Sequence, residues 1–261
     1  MQLQSAYLLV SHGSRDPRPQ VEVERLAESI SDKLGCLQSN SKTSLAPTGF
    51  DQMPDCNGLQ PLVGTACLEL AHLPLHKQIE QFGEYAIASG FKNLQVIPLF
   101  LLPGVHVMVD IPAEVATAQQ AFGSDLAVEI RPHLGSHSGM AKLLANQMIY
   151  FDADIWILLS HGSRRQGANQ PVETLATQLG AVPAYWSVSP KLEFQVKELV
   201  MSSYRRIGIL PYFLFAGGIT DALAQSVEQI KQEFPTVSFH LADAIGTSAE
   251  LVDLILDLTK E

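Results

Sequence analysis

The sequence predicts an α/β fold built from two duplicated lobes, each a parallel sheet flanked by helices. Three observations carry this expectation. Short apolar, β-branched-rich runs alternate with amphipathic stretches along the chain, a Ser-His-Gly-Ser-Arg motif occurs twice, and the residues around it repeat in register.

The elements follow in order. Ala6–Val10 is an apolar run ahead of the amphipathic Val21–Leu34, Leu94–Leu102 precedes Ala113–Ala121, and Leu126–Ile130 precedes Gly139–Met148. The alternation resumes with Ile155–Leu159 before Val172–Leu179, then Ala184–Val188, Arg206–Phe215 before Asp221–Phe234, and Val237–Leu241 before Ala249–Leu258. Each run reads as a parallel strand and each amphipathic stretch as the helix that follows it.

The duplication is visible residue by residue. Ser11-His12-Gly13-Ser14-Arg15 returns as Ser160-His161-Gly162-Ser163-Arg164, and at the same offset of 149 residues (His12 to His161) Val23, Glu24, Leu26 and Ala27 return as Val172, Glu173, Leu175 and Ala176. Further on, Ile97-Pro98-Leu99-Phe100-Leu101 returns as Leu210-Pro211-Tyr212-Phe213-Leu214, but the offset has dropped to 113 (Pro98 to Pro211). The first half therefore holds extra residues. Most are expected in Ser39–Pro61, a Ser/Asn/Pro/Gly-rich stretch without apolar periodicity that reads as a flexible surface insertion. The division falls near Tyr150–Asp154, giving lobes of residues 1–150 and 151–261.

With 261 residues, 46% of them hydrophobic, the chain is long enough to bury two modest cores or one large one. A net charge of −10 excludes the basic footprint of non-specific nucleic-acid binding, and an acidic small-molecule substrate would need locally placed arginines. No apolar run approaches the roughly 20 residues of a membrane span, and Met1–Ala6 has no signal-peptide character, so the cytoplasm is the expected site. Cys36, Cys56 and Cys67 form no C-x-x-C pair and read as reduced, structural thiols.

Chemistry is expected where apolar runs end. His12 follows Leu8-Leu9-Val10-Ser11 directly and should sit at the carboxyl end of a parallel strand, where ligands of open α/β sheets bind. There Gly13 allows a tight turn, and Ser14 can cap the next helix or offer its backbone to an anion. A bare strand-to-helix turn is the bland alternative. His106 closes Pro98-Leu99-Phe100-Leu101-Leu102-Pro103-Gly104-Val105 and so stands at a second strand end, with Asp110 ahead of Pro112 resembling a helix N-cap; a solvent-facing loop histidine is its alternative. Glu69 lies within Ala66–Ala71, where an unpaired buried charge is costly, so it faces a cleft near the imidazoles or pairs locally with Lys77.

Other candidates are weaker. His72 and His76 have the spacing of a helical zinc pair, but Pro74 interrupts them. His133, His137 and His240 read as surface or capping residues. Arg15 with Arg18, and Arg164 with Arg165, follow the two motifs and suit substrate carboxylates, or are ordinary surface charge.

These residues resemble a family. Leu9-Val10-Ser11-His12-Gly13-Ser14-Arg15, Cys67-Leu68-Glu69-Leu70-Ala71, Val96–Leu101 running into Gly104-Val105-His106-Val107, and Asp110-Ile111-Pro112, in this order, are similar to the two-unit class II chelatases of the sirohydrochlorin cobaltochelatase/ferrochelatase family. The resemblance covers nearly the whole chain. It implies two chelatase-like lobes with a tetrapyrrole cleft between them, metal ligation by His12 and His106, and catalysis by His12, His106 and Glu69. Substrate contacts are implied from Glu69, from Leu101, Leu102, Pro103, Gly104, Val105 and His106, and Arg15 joins them at the cleft mouth. The second unit keeps His161 but has Ile219 where the repeat puts His106, and Pro183–Trp186 offers no carboxylate, so a single site in the first lobe is expected.

The chemistry suits these groups. Metal insertion requires a ligand that strips water from the ion and acceptors for two pyrrole protons; imidazole, with an ordinary pKa of about 6.5, serves both needs, and an open shell lets the ion leave. No phosphate loop is present, so insertion is expected to be ATP-independent. The metal, Co2+, Fe2+ or Ni2+, enters as substrate for cobalamin or sirohaem synthesis, with no tightly bound cofactor, no nucleic acid and no membrane partner. A monomer or weak homo-oligomer is expected. Two rival readings are a metal or tetrapyrrole carrier using the same cleft without catalysis, and a hydrolase using Ser11 or Ser14, which lacks the Gly-x-Ser-x-Gly elbow.

Overall fold

A computed structural model describes residues 5–40 and 61–260. The first sheet holds β1 (Ser5–Ser11), β2 (Val63–Cys67), β3 (Asn93–Pro98) and β4 (Ala127–Ile130) in the order β2-β1-β3-β4, and the second holds β5 (Ile155–Ser160), β6 (Ala181–Tyr185), β7 (Arg206–Pro211) and β8 (Ser238–Leu241) in the order β6-β5-β7-β8. Every pairing is parallel. The helices are α1 (Pro17–Asn40), α2 (Leu75–Ala88), α3 (Ile111–Phe122), α4 (Met140–Met148), α5 (Gln170–Gln178), α6 (Leu192–Met201), α7 (Gly218–Glu233) and α8 (Ala249–Leu258).

The strands are apolar on both faces because both faces are covered, and alternation sorts their side chains between two cores. Leu8 and Val10 of β1 pack outward with Ile79 of α2 and Val115 of α3, whereas Leu9 points inward to Leu26 of α1. In the second lobe Ile157 and Leu159 face α6 and α7, and Leu158 faces inward. The inner core is shared by both lobes, since α1, α4, α5 and α8 all contribute to one apolar cluster between the sheets. Fully buried residues such as Leu144 and Ile255 each stabilise it by roughly 1.5–3 kcal/mol.

Two helices cross over. Helix α4 packs against β7 of the second sheet, and α8 packs against α1 of the first lobe, where Arg131 donates to the Leu258 carbonyl at 2.9 Å. Helix α1 runs to Asn40 and takes in the first two residues of the stretch expected as an insertion; the remainder, 41–60 with Cys56, lies outside the described residues. The apolar run Leu94–Leu102 is strand only to Pro98, after which Leu99–Val105 forms the loop that carries His106. Among the described residues no helix is long and apolar enough to cross a membrane.

Candidate metal centre

The first sheet's carboxyl edge assembles three donors. Strand β1 ends at Ser11 and delivers His12, and its neighbour β2 continues alongside it, with the Leu68 and Glu69 amides donating to the Ser11 and His12 carbonyls at 2.9 Å each. This extended ladder fixes Glu69 beside His12. Gly13 makes it possible: its φ is +93°, and a Cβ there would stand 2.1 Å from the Glu69 carbonyl oxygen. From the other side of β1, β3 and its loop bring His106 to a π-helical turn, His106–Asp110, that runs into α3.

His12 Nε2 lies 3.9 Å from Glu69 Oε2, and His106 Nε2 lies 3.9 Å from Glu69 Oε1. The two rings meet edge to face with centroids 4.9 Å apart, and one donor atom from each of the three residues lies within 4.8 Å of the others. A hydrogen bond is ruled out at 3.9 Å. That spacing instead suits three ligands around one ion, because bonds of about 2.0–2.2 Å place ligand atoms roughly 3–4 Å apart. Side-chain exposures of 52% for His12, 50% for Glu69 and 34% for His106 leave the centre open on one side.

Both imidazoles present Nε2 to the gap. His12 Nδ1 contacts the Gly13 carbonyl at 3.2 Å, and His106 Nδ1 contacts Asp110 Oδ2 at 2.7 Å. Both partners only accept, so Nδ1 carries the proton and each Nε2 keeps its lone pair toward the gap. Phe100 backs the pair, with its ring 6.2 Å from each imidazole. Its carbonyl is pinned by the Gly135 amide at 2.9 Å and by His133 Nδ1 at 3.0 Å. Burial holds the His133 imidazolium below its ordinary range, partly offset by that hydrogen bond.

Several expectations are corrected. Asp110 does not cap α3; it lies inside continuous helical backbone and binds His106. Ser14 accepts the Asp16 amide at 3.0 Å, and the start of α1 is held by Asp16, which accepts the Arg18 amide at 3.0 Å. Lys77 pairs with Glu80 at 2.6 Å, leaving Glu69 to the imidazoles. His76 binds Glu114 at 2.8 Å, while His72 is exposed. His240 stacks on Phe151 at 4.7 Å inside an aromatic cluster with Trp156, His133 is half-buried behind Phe100, and His137 accepts the Gly139 amide at 2.9 Å as a capping residue would. Cys67 is packed near Ser11 and Gln20, but Cys36 is exposed. Ser11 Oγ faces the Ala66 carbonyl and Cys67 at 3.5 Å, not an imidazole, which removes the basis for a serine hydrolase.

Of the residues the resemblance implies for substrate, Leu101 and Leu102 lean on the shared core, and the Leu101 carbonyl accepts Tyr212 Oη at 3.3 Å. Pro103 and Gly104 are half-buried, whereas Val105 is exposed. Arg15 is exposed with no ion-pair partner among the described residues. Sequence reasoning missed the pairing of Asp110 with His106 and the backing role of Phe100; the four-residue spacing of His106 and Asp110 on a helix was the available signal.

The second lobe keeps only part of this arrangement. Trp186 and Ser187 amides donate to the Ser160 and His161 carbonyls at 2.8 Å, so Ser187 occupies the place of Glu69, and Tyr212, bonded to Leu159 as Leu99 is to Val10, puts Ile219 in the place of His106. His161 keeps the Nδ1 contact to the Gly162 carbonyl at 3.0 Å but has neither partner.

Fold and centre define a duplicated α/β protein with an open centre of two imidazoles and one carboxylate at one sheet's carboxyl edge. A cavity of about 230 Å³ beside His12 takes its walls from both lobes, including Leu214 and Phe215. The CbiX family profile matches residues 49–149 and 156–261, and the chain belongs to that family. It is similar to a sirohydrochlorin cobaltochelatase of Priestia megaterium, 23% identical over 97% of this chain and 78% of the relative. A sirohydrochlorin ferrochelatase of the same organism is 24% identical over 71% of this chain and 72% of the relative. The fold also matches the solved structure of SirB from Bacillus subtilis with Fe3+, with a TM-score of 0.73, 21% identity, and coverage of 99% of this chain and 95% of that one.

Proposed function

We propose that this protein is a sirohydrochlorin chelatase, a lyase-type enzyme that inserts Co2+ or Fe2+ into the macrocycle without ATP. One observation carries the reading: His12, Glu69 and His106 converge on an ion-sized gap that is open on one side. The family and its sirohydrochlorin-specific relatives supply the substrate. Two neutral imidazoles and a carboxylate accept both metals, so availability selects between them.

In this reading His12 and His106 hold the arriving ion through Nε2, and these two protein ligands leave positions free for pyrrole nitrogens. Glu69, bordering both ligands, receives the pyrrole protons as the ion moves inward. The flat macrocycle lies on exposed Leu70, Val105, Met108 and Val109, an apolar shelf around the centre. Residues 1–150 form the catalytic lobe and 151–261 the opposing lobe, acting in the cytoplasm as a monomer or weak homo-oligomer with no tightly bound cofactor.

Anaerobic incubation with sirohydrochlorin and Co2+ or Fe2+, followed by absorbance, tests the reading. Insertion well above the spontaneous rate, mostly lost in His12→Ala and His106→Ala, is expected. Binding without acceleration would make the protein a carrier instead.

A further inference from the structure

The two lobes are related residue for residue, and the relation extends to the space between them. The cavity lined by Glu22, Arg25 and Gly246 has a counterpart lined by Pro171, Thr174 and Ser136, each of about 480 Å³. In the same register Asp16 corresponds to Arg165, Arg18 to Gly167, and Asp221 to Met108.

On one side of this arrangement, where Arg18 also lines the first cavity, the two lobes are joined by charge. Arg18 donates to Asp16 and, at 3.1 and 2.5 Å, to both carboxylate oxygens of Asp221 on α7, so α1 is clasped to the second lobe. The guanidinium holds Asp16 and Asp221 below the usual carboxylate range. Gly217 belongs to the same clasped side, where an added Cβ would sit 3.5 Å from Pro19.

The other side lacks this clasp. Gly167 and Met108 stand where the clasp would be, and a Cβ on Gly104, the counterpart of Gly217, would meet nothing within 4 Å. Arg164 and Arg165 are exposed there and have no ion-pair partner among the described residues, although the chain carries a net charge of −10. The repeat correspondence, which sets Met108 against Gly167 as Asp221 is set against Arg18, assigns the His106 loop to this side, and its Val105, Met108 and Val109 are 51%, 60% and 56% exposed. Two uncompensated guanidinium groups and an apolar shelf, assigned to one side by that correspondence, suit a ligand that is flat and apolar at its centre and anionic at its rim.

We propose that Arg164 and Arg165 bind peripheral carboxylates of the macrocycle seated at the His12–Glu69–His106 centre, and that Arg18 does not. The proposal rests on the chelatase reading. A carboxylate reaching Arg18 must displace two aspartates, whereas Arg164 and Arg165 give up only water.

Titration of sirohydrochlorin into the metal-free protein, followed by fluorescence at low and high salt, tests it in wild type, the double variant Arg164→Gln/Arg165→Gln, and Arg18→Gln. The double variant should bind about tenfold more weakly, from two exposed ionic contacts worth a few-fold each. Its affinity should lose much of its salt dependence, and its Co2+ affinity should stay unchanged. Arg18→Gln should bind sirohydrochlorin as wild type does. If the wild type inserts metal but the double variant binds sirohydrochlorin equally well, or Arg18→Gln weakens binding as much, this assignment is overturned and the chelatase reading stands. If the wild type neither binds nor metallates sirohydrochlorin, both fall.

Discussion

On the proposed chelatase reading, removing Asp110 should weaken Co2+ binding while leaving His12, Glu69 and His106 in place. Its carboxylate accepts the His106 Nδ1 proton at 2.7 Å, which fixes the tautomer and turns Nε2 toward Glu69. Partners of this kind are worth roughly 10–100-fold in metal affinity, or about 1.4–2.7 kcal/mol. The pair is more than a third exposed, so water replaces part of the lost contact, and Asp110→Ala should fall at the lower end, about 10–30-fold. Asp110→Asn should lie between wild type and Asp110→Ala, because the amide oxygen still accepts from Nδ1. Competition of each variant with a chromophoric chelator for Co2+ measures this without turnover. Coupling is the decisive readout: once His106 is alanine, Asp110 has no ring to orient, so the double variant should match His106→Ala alone. An Asp110→Ala affinity within twofold of wild type, or losses that simply add, would refute the argument.

Three further outcomes are expected. Gly13→Ala should cost at least about 1–3 kcal/mol of stability from its positive φ and should also abolish tight Co2+ binding by displacing Glu69, read as a lower Tm and a lost titration. Ser187→Glu combined with Ile219→His should rebuild the donor set around His161 and raise Co2+ stoichiometry from one to two per chain, measured by calorimetry. His133→Gln should change the acid side of the stability profile. Because the folded-state pKa is depressed, the unfolded chain takes up the proton first, and stability falls as pH drops from about 6.5 toward the folded value. Gln keeps a donor for Phe100 but does not titrate, so the variant should lose less stability across that window in urea melts at pH 7 and pH 5.

Most of the architecture was legible because parallel strands covered on both faces leave continuous apolar runs, and duplication leaves matching motifs. His12 and His106 were legible for the same reason, as polar residues where such runs stop. Glu69 was only half legible. Lys77 was its nearest apparent partner along the chain, and only the β1–β2 ladder shows that the carboxylate stands beside His12. Asp110 next to Ile111-Pro112 resembled a helix cap because local sequence does not reveal that the preceding π-helical turn continues into α3.

The strands, their alternation with helices, the repeat, and the residue types that end each strand can all be read along the chain, since they follow from local periodicity and burial. Tertiary packing settled which donors meet, that α4 and α8 pack across the lobe boundary, and that Arg18 is bound within the protein while Arg164 and Arg165 have no ion pair among the described residues. The reason is physical. Ligation and ion pairing depend on distances of a few ångströms between residues tens to hundreds of positions apart, and the packing of the two sheets through their shared core sets those distances.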